Sequence, residues 1–271
     1  MAPRSTEYVL ARVLEYTRVS GALRARLQTM TQADRVFRAA RNNAAWCHVV
    51  CGMHHANGQF SEAAWCTHNP VPARYPNMVT LANGAIDEQL RLVDEIVLAI
   101  GGQHAVAIKD SFLRLDLWSR GFTPLLDGQW CLLDKPPGLP FGSRIEFVSD
   151  VAGLSEWEQR WSITNPSRSR VFKPEVLNNN DVSFVAAHDA GGIVAGLIAN
   201  RSTGVVGISN VFAAPRPATE FFLAALAVVS SRYADLPLAA YARRAELDFI
   251  VRLGFEVIGP LRVWVRPAGP I

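Results

Sequence analysis

The segment GISNVFAAPRPATEFFLAALAVV (207–229) starts like a buried strand and ends like a buried helix, and its junction AAPRPATE (213–220) is a candidate anion site. Backbone N–H groups at the start of a helix bind phosphate in many α/β proteins. Pro215 and Pro217 remove two of these donors, which leaves Arg216 as the one basic side chain of the junction. The junction therefore predicts weak phosphate binding that depends on Arg216.

A second candidate chemistry is metal binding, because three cysteines stand beside histidines in WCHVVCGMHH and WCTH. If 47–55 is a strand, Cys47 and Cys51 lie roughly 13 Å apart at about 3.3 Å per residue, too far to share one zinc ion. Only a helix would bring them together. Without CxxC spacing, we expect no metal and four buried free thiols, those of Cys47, Cys51, Cys66 and Cys131, in a reducing compartment.

The composition of the 271-residue chain, with 49% hydrophobic and 19% charged residues, is typical of a soluble globular protein. Its length allows two modest cores or one large core, and we expect two domains. The longest apolar run, FFLAALAVV (221–229), is far shorter than the roughly 20 residues that cross a bilayer. The first residues have no continuous apolar stretch of the kind that directs secretion. We therefore expect a cytoplasmic protein with no membrane segment.

The charge balance is mildly basic, with a formal net charge of +3 and a pI near 8.8. Such a charge does not demand nucleic acid, although an anionic partner is compatible with it. The 27 basic residues include only three lysines, so 24 are Arg. Coding bias explains this skew as readily as phosphate recognition does.

The two halves of the chain match each other at an offset of 132 to 134 residues, which predicts an internal repeat. VVCGMHHANGQF (49–60) aligns with VSFVAAHDAGGI (182–193), and LRLDLWSRGF aligns with AELDFIVRLGF. The alignment places His55 on His188, Asn77 on Asn210 and Gly121 on Gly254. A spacing held over about 80 residues predicts two copies of one fold.

The second copy shows its elements most clearly. The predicted elements are a strand RIEFVSD, a helix GLSEWEQRWSIT, a hairpin around Ala190 and Gly191, a strand VVGISNVFA and an apolar helix from Thr219. A strand LPLAAYA, a helix closed by Gly254 and FEVIGPLRVWV, as a final strand pair or one bent strand, complete the copy. In the first copy, TQADRVFRAARN is a helix with Thr31 as N-cap and Asp34 at N3, preceded by another helix, TEYVLARVLEYTRVSGALRARL.

This order of elements, with the turn LGFE inside VRLGFEVIG, resembles the GCN5-related N-acetyltransferase (GNAT) superfamily. The resemblance implies an α+β fold with a mostly antiparallel mixed sheet flanked by helices in each of two tandem lobes. The expected divisions are a degenerate lobe at 1–134, a linker at 135–142 within the Pro- and Gly-rich DKPPGLPFGS, and a second lobe at 143–271.

Two features common in that superfamily are missing from both copies. The Gly-rich loop that cradles the pyrophosphate of acetyl-CoA is replaced by the Pro-containing junction in the second copy, and in the first by a helix that opens with Asp87 and Glu88. The usual acid, a tyrosine four residues before the Gly of GF, is replaced by Ile250 and by Leu117. The leaving group then takes its proton from elsewhere, or no acetyl-CoA chemistry occurs.

The resemblance implies that the two central strands of the second copy splay apart, and four side chains there are candidate catalytic residues. They are Tyr241, Ser209, Asn210 and His188, the last as a base for an amine near neutral pH or as a turn residue. The expected donor-binding residues are Val211, whose backbone N–H would polarise the acyl carbonyl, Phe212, Arg216 and Arg243.

The first copy offers candidates for binding the acceptor. Tyr75 lies in the stiff loop THNPVPARYPN (67–77), which either closes over an acceptor or only crosses the sheet edge. Asn77, like Asn210, either serves function or satisfies the backbone of a bulge. Asp110 lies at the mouth of its own cleft, although in KDSF it or Ser111 also fits as the N-cap of a following helix.

Two functions compete at this point. One is an N-acyltransferase that moves an acyl or aminoacyl group from acyl-CoA bound atypically, from tRNA or from a carrier protein to a small-molecule amine. The other is a catalytically inactive protein of the same fold whose cleft binds a ligand or a partner. The polar residues kept at the splay favour catalysis, whereas loss of the loop and the tyrosine favours the alternative.

Overall fold

The computed structural model describes residues 30–134, 144–167, 169–213, 218–233 and 236–269. The described helices are α1 (Gln32–Met53), α2 (Ile86–Ile100), α3 (Val151–Thr164), α4 (Ala218–Arg232) and α5 (Arg244–Arg252), with 3-10 turns at Trp118–Arg120 and Pro174–Asn178. The described strands are β1 (Gln59–Phe60), β2 (Ala64–Cys66), β3 (Met78–Thr80), β4 (Val106–Asp110), β5 (Thr123–Leu133), β6 (Arg144–Phe147), β7 (Val182–Asp189), β8 (Gly192–Ser202), β9 (Val205–Ala213), β10 (Leu238–Arg243) and β11 (Glu256–Arg266). The predicted first helix and the predicted linker lie outside the described residues.

The eleven described strands form one mixed sheet in the order β1-β2-β3-β4-β11-β5-β10-β9-β8-β7-β6. The β3/β4 and β9/β10 pairs are parallel, and the other neighbours are antiparallel. The predicted mixed sheet flanked by helices is confirmed. It differs from the expectation in one respect, since strands of both halves join in a single sheet.

The centre of the sheet is built by an exchange of strands between the halves. β11 lies between β4 and β5, and β5 lies between β11 and β10. The last strand of each half therefore pairs with a strand of the other half. Gly121 and Gly254 each precede one of these last strands with left-handed backbone, at φ of 77° and 94°, a conformation that Gly adopts readily.

Helices cover both faces of the sheet, as alternation along β5 shows. Trp130 and Leu132 pack into the core that contains Trp46 of α1 and Trp157 of α3. Cys131 and Leu133 face the other way, into the core under α4 and α5. The helix α2 fills a third core against β4.

The first described helix begins as predicted and ends later than predicted. Thr31 Oγ1 accepts the N–H of Asp34 at 3.2 Å, and the Asp34 carboxylate accepts the N–H of Thr31 at 3.2 Å. The helix then continues to Met53. The repeat alignment of 49–60 with 182–193 is wrong here, and with it the match of His55 to His188, because 49–53 is helical whereas 182–189 is a strand.

The second half follows the predicted order closely. The hairpin of β7 and β8 turns at Ala190 and Gly191, where the Asp189 carboxylate accepts the N–H of Gly191 at 2.7 Å. The apolar helix α4 packs on β6, β7 and β8, as its uniformly apolar surface predicts. The final segment is a single strand, β11, with bulges after Val257 and Val263.

Candidate functional site

The two central strands of the second half diverge, as predicted. β9 and β10 pair only at Val206 with Leu238 and Gly207 with Ala239, although both strands continue for several residues. The cause is a bulge in β9: opposite β8, Ser209 pairs with Ile198, and Phe212 is the next paired residue, with Gly196. An inserted residue bends its strand away from the neighbour.

Asn210 occupies this bulge with a φ of 52°. Asn tolerates left-handed backbone better than most residues do. Its side-chain amide donates to Ser209 Oγ at 3.1 Å. The structure thus supports a structural role for Asn210, one of the two alternatives that the sequence left open.

Ser209 and Tyr241 come together where the strands part. They line a small, partly open pocket of about 10 Å³, together with Asn42 and Asn43 of α1 and Trp130 of β5. The Tyr241 ring meets Trp130 edge to face, with centroids 5.6 Å apart. The space has room for about one water-sized group.

A lysine that the sequence analysis missed also reaches this place. Lys109 of β4 is 5% exposed, donates from Nζ to Asn43 Oδ1 at 2.8 Å, and lies 4.2 Å from the Tyr241 ring centroid. No local sequence pattern predicts the contact of Lys109 with Asn43, because the two residues are 66 positions apart in the chain. The sequence does offer one signal for a special role of Lys109, since the chain has only three lysines.

Tyr75 is buried, so the prediction that it closes over an acceptor at the surface is wrong. It is 7% exposed and packs edge to face on Trp46, with centroids 6.4 Å apart. Burial raises the pKa of Tyr75 well above its usual value, and nearby Cys47 raises it further. Hydrogen bonding by the Asn210 and Trp46 side chains lowers the pKa in part. The loop residue therefore belongs to the core beside the bulge.

Asn77 is fully buried and fastens the 67–77 loop to β4. Its amide donates to the Asn69 carbonyl at 3.0 Å, and its Oδ1 accepts the N–H of Ala107 at 3.2 Å. Both bonds are to backbone, so the role shown is structural. The environments of Asn77 and Asn210 differ in exposure and in backbone conformation.

Asp110 points away from this cluster, because it follows Lys109 in β4 and successive side chains face opposite ways. Its carboxylate accepts the N–H groups of Phe112 at 3.3 Å and Leu115 at 2.7 Å, and burial raises its pKa. It organises a loop. The predicted helix directly after KDSF is absent from this described segment, which runs as a loop to the 3-10 turn at Trp118.

His188 lies apart from Tyr241. It is on β7, two strands beyond β9, roughly 10 Å across the sheet. Its Nε2 lies 3.9 Å from a carboxylate oxygen of Glu146 on the neighbouring strand β6. The geometry does not bring His188 to the divergence of β9 and β10, so the prediction of a base there is wrong.

The predicted donor-binding residues are dispersed. Phe212 is a core residue, edge to face on Trp157 at 5.0 Å, whereas Val211 is 40% exposed. Arg243 is exposed at the start of α5, where its backbone N–H donates to Glu246 at 3.1 Å. Arg216 lies outside the described residues.

The four cysteines are buried and free. Cys47 and Cys51 are one turn apart on α1, so the strand geometry used to argue against zinc is wrong. Within the described ranges, no group of three or more His, Cys, Asp or Glu side chains could hold a metal ion. None of the described helices combines the length and the apolar character that a membrane span requires.

No protein-family model and no curated protein matches the chain. A GCN5-related N-acetyltransferase from Kribbella flavida superposes with a TM-score of 0.58 at 15% identity, over 85% of this chain and 96% of that chain. A conserved protein of unknown function from Staphylococcus epidermidis has a TM-score of 0.54 at 10% identity, over 78% and 93% of the two chains. A GCN5-related N-acetyltransferase from Sphaerobacter thermophilus has a TM-score of 0.50 at 16% identity, over 77% and 78%. The chain therefore has the fold of the GCN5-related N-acetyltransferases, as the sequence predicted.

Proposed function

We propose that the protein is an N-acyltransferase that transfers an acyl group from an activated thioester or ester to the amine of a small molecule. The observation that carries this proposal is the divergence of β9 and β10 beyond Gly207 and Ala239. Beyond these residues, the facing backbone edges of β9 and β10 do not hydrogen-bond each other. Because backbone N–H and C=O groups require partners, these edges are suited to binding a ligand.

An extended arm that carries amide groups, such as the pantetheine arm of acyl-CoA, fits between such edges, because amides offer the same donors and acceptors as a strand. When bound, acyl-CoA supplies the activated acyl group. Val211 lies in the bulge beside this gap, and its backbone N–H is the proposed donor to the acyl carbonyl. The exposed Arg243 lies at the open end of β10 and is the proposed contact for a phosphate.

Tyr241 and Ser209 are the proposed polar groups at the reacting end. In the transfer, a C–N bond forms as the C–S or C–O bond breaks, the amine loses a proton and the leaving group gains one. The Tyr241 hydroxyl is the proposed source of that last proton, since Ile250 and Leu117 cannot donate one. Tyr241→Phe should then lower kcat by about 100-fold with little change in donor affinity.

A second candidate function is binding without chemistry. Two observations favour it: Leu117 is fully buried in the third core, between α2 and β4, and the space beside Tyr241 is about 10 Å³. This protein would bind a ligand and form no amide product with any amine.

The test begins with a thermal-shift screen of CoA, acyl-CoAs and uncharged tRNA, followed by transfer assays with each donor that binds. A ligand at about 100 times its Kd adds roughly 2.7 kcal/mol of stability. If tRNA or a carrier protein is the donor, free CoA binds weakly, and the logarithm of tRNA affinity falls steeply with the logarithm of salt concentration. Arg216→Ala and Arg243→Ala should flatten that slope. Tight ligand binding without amide formation across a broad amine panel would support the non-catalytic function.

A further inference from the structure

The ammonium group of Lys109 lies against the ring of Tyr241, the residue proposed to give the leaving group its proton. Its Nζ is 4.2 Å from the Tyr241 ring centroid and 6.0 Å from that of Trp130. A cation is attracted to the electron-rich face of an aromatic ring, and the attraction grows when water is excluded. Lys109 is 5% exposed, so solvent weakens its attraction to the Tyr241 ring little.

The position of this ammonium group is fixed from the other side by α1. Lys109 Nζ donates to Asn43 Oδ1 at 2.8 Å, and the Cys47 thiol, one turn further along the helix, donates to the same oxygen at 4.0 Å. No ion pair between described residues includes Lys109. The amide oxygen and the ring faces are therefore the partners that offset the cost of burying its charge.

Tyr241 has a second fixed neighbour in Trp130. The two residues are directly paired across β10 and β5, and their rings meet edge to face at an interplanar angle of 79°. Trp130 is itself held in place, because its indole N–H donates to the Ser111 carbonyl at 3.0 Å. Contacts with Lys109 and Trp130 thus restrain a half-buried ring that borders the pocket at the divergence of β9 and β10.

These contacts join the two halves of the chain at one side chain. Asn43 and Lys109 belong to the first half, whereas Tyr241 belongs to the second. In the sheet, β11 and β5 separate β4 from β10, a distance of roughly 14 Å at about 4.8 Å between neighbouring strands. The side chains of Lys109 and Tyr241 meet above the intervening strands, so the ring of Tyr241 depends on a residue that the first half supplies.

We propose that Lys109 is a positioning residue for Tyr241, which holds the phenol ring in one orientation so that its hydroxyl reaches the leaving group. This inference rests on the proposed acyl transfer and on the role of Tyr241 in it. Lys109 contacts the ring and not the substrate, and the proton for the leaving group comes from Tyr241. Asn43 acts one step earlier, because it holds the ammonium group that contacts the ring.

Lys109→Met removes the charge at similar side-chain volume. A misplaced proton donor slows the chemical step and leaves substrate binding intact, so kcat should fall about tenfold while KM for donor and amine stays within about twofold. Lys173→Met, at the half-buried start of a 3-10 turn, is the matched control and should keep the wild-type kcat. An unchanged kcat in Lys109→Met, or a loss that lies in KM alone, would overturn the proposal.

A double variant separates a role through Tyr241 from a general effect on the fold. In the Tyr241→Phe background, Lys109→Met should lower kcat by no more than about twofold, because no hydroxyl is left to position. Asn43→Ala, which frees the ammonium group without removing it, should lower kcat about threefold in the wild-type background and not in Tyr241→Phe. Losses that multiply, to about 1,000-fold in Lys109→Met with Tyr241→Phe, would show that Lys109 acts independently of the hydroxyl and contradict the proposal.

A measurement without substrate tests the positioning separately from the acyl transfer. In protein labelled with 13C in its tyrosine rings, the Tyr241 resonances, identified by their loss in Tyr241→Phe, should shift or broaden in Lys109→Met. The resonances of Tyr233, whose hydroxyl lies 2.7 Å from Ser183 Oγ in the second-half core, should stay in place, and Lys173→Met should change neither set. Unchanged Tyr241 resonances in Lys109→Met would remove the positioning role. Changed resonances in a protein that forms no amide would keep that role and remove the acyltransferase activity.

Discussion

At the scale of single residues, Gly207 shows how closely α1 approaches the sheet beside the candidate site. A Cβ at this position would overlap Asn42 Oδ1 and lie 2.6 Å from Asn200 Oδ1. These two asparagines bond each other, with the Asn42 amide donating to the Asn200 carbonyl at 2.9 Å and the Asn200 amide donating to Asn42 Oδ1 at 3.1 Å. The close contact is possible only with Gly.

Gly207→Ala should therefore lower the free energy of unfolding by about 3 kcal/mol, because it overpacks the core and breaks a buried polar pair. Urea denaturation measures the change. Gly84→Ala is the control, since nothing described lies within 4 Å of the Cβ it adds, and it should change stability by less than about 1 kcal/mol. Equal effects of the two substitutions would contradict the packing described here.

The four thiols give a prediction about reactivity. Burial raises the pKa of Cys47 and of Cys131 to about 11 and also raises the pKa of Cys51 and Cys66. Since the thiolate is the nucleophile, native protein at pH 8 should react with iodoacetamide far more slowly than a small free thiol does. Mass spectrometry would count the labelled cysteines, with urea-unfolded protein as the control in which all four react. Fast labelling of one cysteine in native protein would show an open path to it.

The same pKa shifts fix the sign of a pH effect. The pKa of the Cys47 and Cys131 thiols is higher in the folded than in the unfolded protein, so protonation of these thiols favours the folded state. This stabilisation is fully present below pH 8 to 9 and is lost as the pH rises through about 11. The contribution of these thiols to the free energy of unfolding should decrease over that window. Urea titrations at pH 8 and pH 10.5, compared between wild type and Cys131→Ala, would isolate one thiol.

At the scale of elements, α1 is the helix on which the candidate site depends, because it carries Asn42 and Asn43. Its start is fixed by the reciprocal bonds of Thr31 and Asp34. Thr31→Ala removes the side-chain acceptor for the Asp34 N–H and should lower the free energy of unfolding by about 1 kcal/mol. Thr123→Ala, at an exposed strand position, is the control. A Thr31→Ala variant as stable as wild type would show that the cap is unimportant.

The elements that could be predicted from the sequence are those with local signals. The hairpin of β7 and β8 has alternating apolar residues around a Gly-containing turn, and α1 starts at a capping box. The strand assigned to 49–55 failed because Val49, Val50 and Cys51 favour a strand locally, while Trp46, Cys47, Val50 and Cys51 form a buried stripe at helical spacing. Contacts such as Lys109 with Asn43 depend on how α1 lies across the sheet, which no local pattern encodes.

At the scale of the whole molecule, the exchange of β5 and β11 joins the cores of the two halves. Trp264 of β11 packs in the first-half core with Val93 and Ile108. Leu133 of β5 packs in the second-half core with Phe221 of α4. Each half therefore supplies a strand and large side chains that the other half needs.

This exchange predicts one cooperative unfolding transition, in which tryptophan fluorescence and far-UV circular dichroism change at the same urea concentration. Two separate transitions would mean that the halves are stable independently.

The exchange of strands also predicts how fragments 1–134 and 135–271 behave when they are produced separately. The first would lose the β11 neighbour of β4, and the second would lose the strand that lies between β10 and β11. Each fragment alone should therefore lack a sharp unfolding transition, and an equimolar mixture should recover it together with a 1:1 complex in sedimentation. Intact protein cleaved by a protease at a site inserted within 135–143 is the control, because its pieces have already folded together and should stay associated. A fragment 135–271 that unfolds cooperatively by itself would show that its sheet is complete without β5, and the pairing of β5 with β10 and β11 would then not be what stabilises the second half.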